Sequence, residues 1–137
     1  MKVRGFNNLA AQKNNEFDIV ETRQVRFRVL LPPLIGIIQR ASTPLNGKIT
    51  EICYHFAPGA NQLVLAALRY GTVQISPVEG FISLDDATPI FYVTQPCVGG
   101  EDLELELQNT DIVNPHTISC IVTIVGVYNP VKTGDET

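Results

Sequence analysis

The sequence predicts an all-β chain, folded as a single antiparallel β-sandwich or jelly-roll-like domain with an N-terminal arm. Three observations lead there. Apolar and polar residues alternate with a period of two in several segments, as half-buried strands require. Pro, Gly, Asn and Asp interrupt these segments every eight to twelve residues or so, the spacing of short strands joined by turns. No segment carries a convincing helical period, and Ala66-Ala67-Leu68 is too short and too closely flanked by glycine to found a helix.

In chain order, residues 1–15 are polar and Asn-rich without periodicity and read as an arm. Lys2, Arg4 and Lys13 would suit an acidic neighbour, and Val3, Phe6 and Leu9 recur every third residue as apolar anchors. Such an arm either reaches another molecule or folds back as an edge strand of its own domain. Residues 16–130 form the sandwich and 131–137 a tail. Within the sandwich, Val25, Phe27 and Val29 alternate with Gln24, Arg26 and Arg28 until Pro32-Pro33 ends the strand. An apolar stretch from Leu34 to Arg40 leads to a turn at Ser42–Gly47. Ile52, Tyr54 and Phe56 then alternate with Cys53 and His55, and Ala57–Asn61 supplies a connection of hairpin type to a strand at Gln62–Tyr70. Short strands follow at Thr72–Ser76, Gly80–Leu84 and Ile90–Thr94. Leu103, Leu105 and Leu107 alternate with Glu104, Glu106 and Gln108. His116–Tyr128 is apolar on both faces at its centre, which places it centrally in its sheet.

Composition fits one folded domain. The chain has 137 residues, 45% hydrophobic and only 18% charged, with mean hydropathy +0.11. So little charge points to further surface covered by contact between copies, or else to a thick core. Met1–Asn15 has no apolar signal-peptide core, and no apolar run approaches a membrane span. Three widely spaced cysteines, Cys53, Cys97 and Cys120, read as small buried hydrophobes in a reducing compartment, Cys97 being the most reactive by its Pro and Gly neighbours.

Charge is uneven. Residues 1–50 hold eight basic and three acidic groups, net +5, whereas residues 51–137 hold two and eleven, net −9. Arg23, Arg26 and Arg28 are expected on the outward side of an early strand, and Glu101, Asp102, Glu104, Glu106 and Asp111 on that of a late one. Either the two strands are neighbours in one sheet, or the basic edge of one copy meets the acidic edge of the next.

Catalytic and cofactor chemistry find no motif. His55 and His116 each lack a second ligand at i+2 or i+4 and read as structural. Asp85-Asp86 before Ala-Thr-Pro reads as a turn sooner than as a Ca²⁺ loop. No G-x-S-x-G occurs, and Gly99-Gly100 is too short to cradle phosphate. Phe27 points away from Arg26 and Arg28, and the net charge of −4 disfavours a specific nucleic-acid site. No enzyme, cofactor, metal or membrane is expected.

From Phe56 to Val127 the chain runs FAPGANQLVLAALRYGTVQISPVEGFISLDDATPIFYV and then GGEDLELELQNTDIVNPHTISCIVTIVGV. These turn and strand motifs resemble the capsid-auxiliary proteins of tailed bacteriophages known as decoration or cement proteins. The resemblance covers roughly the C-terminal half and implies a non-enzymatic virion protein, made in the host cytoplasm. Its partner would be the major capsid protein or another virion protein, met on the outside of the shell by a homotrimer. The partner-binding candidates are Lys2, Arg4, Phe6, Leu9, Lys13, Arg26, Arg28, Glu104 and Glu106. A host-attachment or carbohydrate-binding sandwich is the alternative. It would need exposed aromatics, whereas Trp is absent and the four tyrosines are expected mostly at inward or strand-end positions.

Overall fold

A computed structural model describes residues 19–128, and the arm at 1–15 and the tail at 131–137 lie outside them. Eight strands follow in order: β1 (Ile19–Leu31), β2 (Gly36–Ser42), β3 (Asn46–Phe56), β4 (Val64–Tyr70), β5 (Val73–Ser76), β6 (Ile90–Cys97), β7 (Asp102–Asn109) and β8 (His116–Tyr128). They form two four-stranded antiparallel sheets, β1-β8-β3-β6 and β2-β7-β4-β5. No helix occurs among the described residues. Eight strands wound alternately between two sheets in this order make a jelly roll.

The period-two pattern decides which side chains fill the space between the sheets. Phe27 and Leu31 from β1, Ile118, Val122 and Ile124 from β8, and Ile52, Tyr54 and Phe56 from β3 meet Leu103, Leu105 and Leu107 from β7. Each such burial contributes about 1.5–3 kcal/mol. Tyr54 also ties the sheets together, its hydroxyl donating to the Ser76 carbonyl at 2.9 Å. β8 lies centrally in its sheet, between β1 and β3, as its apolar centre predicts. Gly47 and Gly126 mark where β3 and β8 approach most closely, since a methyl on Gly126 would strike the Asn46 carbonyl.

Several expectations are corrected. Ala57–Asn61 is not a hairpin turn, because β3 and β4 belong to different sheets and the connection crosses between them. Gly80–Leu84 forms no strand and touches the ladder only at the Ala66–Ile82 bridge. The β1 and β7 strands are not neighbours, so the arginines of one cannot pair with the glutamates of the other inside the chain. Arg23 shares the core-facing side of β1 with Val25 and Phe27 rather than the outward side, and its Nε lies 3.0 Å from Glu21 Oε2. Asp111 lies beyond the end of β7, buried within an otherwise exposed connection.

Candidate functional site

At one end of the sandwich the β1–β2 and β7–β8 connections are knitted into a single unit. Pro32 and Pro33 cannot donate hydrogen bonds, which ends β1 and leaves carbonyls to be satisfied from elsewhere. Asn109, at the end of β7, does this: its buried Nδ2 donates to the carbonyls of Leu31 (3.1 Å), Pro32 (3.2 Å) and Asn114 (3.0 Å). Its Oδ1 accepts from the Asp111 backbone at 3.0 Å. The Asp111 carboxylate in turn accepts from the amides of Val113 (2.9 Å) and Asn114 (3.1 Å), and its other oxygen lies 2.8 Å from His116 Nε2. The Val113 amide first, then His116 and the Asn114 amide, hold the Asp111 carboxyl well below the usual range, at about 2. The Leu34 amide donates to the Asp111 carbonyl at 3.2 Å, which pins Leu34 in the left-handed region at φ 60°.

Inward polarity leaves an apolar exterior. Leu34 is 63% exposed, Ile112 74% and Val113 69%, with Leu30 and Ile35 beside them. A left-handed leucine costs on the order of 1 kcal/mol or more, and this one, mostly exposed, recovers little of it by burial in its own chain. The result is an aliphatic tip on a rigid polar base. Such a tip can seat in an apolar recess, where each aliphatic side chain is worth about 1.5–3 kcal/mol.

The residues expected from sequence are dispersed. Arg26 and Arg28 project from the outer face of the β1 sheet, where Arg26 Nη2 donates to Gln24 Oε1 at 2.8 Å. Glu104 and Glu106 project from the outer face of the other sheet. There Glu104 lies 2.9 Å from Arg40 and 3.7 Å from Arg69, and Glu106 lies 2.8 Å from Arg69. The glutamates thus find their basic partners on the flanking strands β2 and β4. Lys2, Arg4, Phe6, Leu9 and Lys13 lie outside the described residues. Leu34, Ile112 and Val113 were not singled out by the sequence reading. The available signal was apolar pairs set in Pro- and Asn-rich turns, where no strand can turn them inward.

Other candidates resolve into structure. His55 Nδ1 lies 2.9 Å from Thr88 Oγ1. Asp85 Oδ1 accepts from the amides of Gly59 (2.9 Å) and Asn61 (3.0 Å), which is turn chemistry. Among the described residues no group of three or more His, Cys, Asp and Glu side chains is gathered as a metal site, and no helix is long and apolar enough to cross a membrane. The thiols are free, and it is Cys53, half-buried on the outer face of β3, that is most accessible, while Cys97 is buried. Tyr92 also departs from expectation, standing 77% exposed on the outer face of β6.

No family model and no curated protein matches the chain. Among solved structures it is similar to FLHE, at 12% identity over 77% of this chain and 96% of that one, with TM-score 0.43. It is also similar to infectious bursal disease virus, Gx strain, at 12% identity over 80% of this chain and 32% of that one, with TM-score 0.41. The VP2 subviral particle of that virus gives 14% identity over 80% of this chain and 40% of that one, with TM-score 0.37. The chain therefore spans well under half the length of these two viral chains, and likeness this loose says nothing of what it binds.

Proposed function

We propose that this chain is a non-enzymatic structural protein of a virion, made in the host cytoplasm and bound to the outside of a capsid shell. The observation that carries the reading is the loop end. Leu34, Ile112 and Val113 are exposed on a base whose polar groups are spent on holding them in place. Preorganised apolar anchors on a rigid scaffold bind with little ordering cost. The strand and turn motifs from Phe56 to Val127 supply the capsid setting through their resemblance to decoration proteins, and the jelly roll is a fold that capsid proteins use. The partner is a shell protein offering an apolar recess.

The test is fractionation of the native source on a density gradient, followed by protease treatment of intact particles. The protein should band with the particles and be removed from their outside. Recovery only at the top of the gradient, as free protein, would overturn the reading.

A second reading, a host-attachment or carbohydrate-binding module, is favoured by Tyr92 alone, since an exposed ring is what sugar stacking uses. Retention on immobilised glycans that is lost in Tyr92→Ala would support it over the first.

A further inference from the structure

The two outer faces of the sandwich are built differently. On β7, the strand second from the edge of its sheet, Glu104 and Glu106 point outward into a network of ion pairs with Arg40 and Arg69, the dress of a solvated face. On β8, in the equivalent place of the other sheet, the outward residues from Thr117 to Val127 carry no formal charge at all. They are β-branched or small, and Val20 and Tyr92 stand 76% and 77% exposed on the edge strands β1 and β6, while Arg26 and Arg28 on β1 and Lys48 and Glu51 on β3 supply the charge of this face. A flat sheet face of this kind is a surface awaiting cover.

We propose that the outer face of the β1-β8-β3-β6 sheet is buried against a second copy of this chain, about a two-fold axis parallel to the strands. The register selects that axis. Arg26, Ile121, Cys53 and Ile90 form one row across the sheet, and Gln24, Thr123, Glu51 and Tyr92 the adjoining row. A two-fold axis across the strands lays β1 over β1 and brings Arg26 and Arg28 against their own copies. An axis along the strands lays β1 over the partner's β6 and β8 over its β3. Each Arg26 then meets the Tyr92 and Glu51 side of the other copy, where both cation–π and ionic attraction are available. The uncharged side chains of β8 then lie over the partner's β3, whose Lys48 and Glu51 are the charges nearest the middle of the face.

Four strands about 4.8 Å apart and about 8–13 residues long give a face on the order of 600 Å² per copy. That lies at the lower end of specific interfaces. The same axis points both loop ends in one direction, so a dimer would present two copies of the Leu34–Ile112 tip to one surface and gain by avidity. The proposal departs from a three-fold assembly and does not rest on the shell reading: dimerisation is measured with no shell present.

Sedimentation velocity on the full chain from about 1 to 100 μM is the test, since that range brackets micromolar self-association. A reversible dimer is expected, weakened at least about tenfold by Val125→Lys and by Tyr92→Ala. Ile38→Lys on the opposite face should leave it unchanged. Arg26→Glu and Glu51→Arg should each weaken the dimer and together restore it, a rescue that a general loss of folding cannot produce. Thermal melts confirm that each variant is folded. A monomer throughout the range, a trimer, or a dimer indifferent to Val125→Lys and Tyr92→Ala would each overturn the proposal.

Discussion

Oδ2 of Asp111 stands 2.8 Å from Nε2 of His116, while the other carboxylate oxygen holds the amides of Val113 and Asn114. Every donor in this set favours the ionised form, which is why the folded-state carboxyl sits at about 2 against an ordinary value of 3.8. A depressed folded value means that the unfolded chain takes up the proton first as pH falls. The stabilisation is therefore complete above about pH 4 and is lost as pH falls through about 2. Melting temperature should drop across that window. In Asp111→Asn the drop should be shallower, starting from a lower melting temperature at neutral pH. Thermal scans of the two proteins in citrate and phosphate–citrate buffers check this.

Asn109 should matter more to folding than any other polar residue at this end. Asn109→Ala strips the partner from carbonyls of Leu31, Pro32 and Asn114 in a largely buried setting. The expected loss is about 2–4 kcal/mol in denaturant unfolding, since unpaired buried acceptors cost about 1–3 kcal/mol and relaxation recovers part.

The close approach of β3 and β8 gives a second stability prediction. Gly126→Ala drives a methyl into the Asn46 carbonyl and must push two paired strands apart. Overpacking of this kind costs about 1–3 kcal/mol, and chemical denaturation should show at least that. Gly71→Ala is the instructive contrast. Its Cβ meets nothing, but its φ of +58° is strained for alanine, so a loss of on the order of 1 kcal/mol should come from backbone conformation alone.

The three cysteines should separate by position. Under native conditions one thiol should react with a small reagent, slowly, and Cys53→Ser should abolish that reaction. Burial raises the pKa of all three, and Glu51 adds to it at Cys53, so none is an activated thiolate. Labelling counted by mass spectrometry decides it, and prompt modification of Cys97 before Cys53 would contradict the packing described.

What could be read from the sequence was what a single strand encodes. The alternation at Leu103–Leu107 and the apolar centre of His116–Tyr128 follow from one strand's own faces, so the inward leucines and the central place of β8 were legible. Which strand lies beside which depends on long-range pairing that no local pattern records. For that reason the pairing of Glu104 and Glu106 with Arg40 and Arg69 is not legible in the sequence, which leaves open a match with β1 of the same chain or of another copy, and Ala57–Asn61 reads as a hairpin. Arg23 misled because alternation was broken at the strand's edge, where a core-side position can be occupied by a charge. The apolar tip was illegible because exposed Leu34 and Ile112 look no different in sequence from residues bound for the core. Only the Asn109 and Asp111 network shows that they are held outward.

The account turns on the loop end being the surface that meets a shell. A photo-cross-linking residue placed at Ile112, and in a second protein at Arg40 on the outer face of β2, puts that to a direct test on particles carrying the bound protein. Irradiation and peptide mass spectrometry should return cross-links to a shell protein from position 112 and none from position 40. Cross-links from position 40 with none from 112 would contradict the central claim.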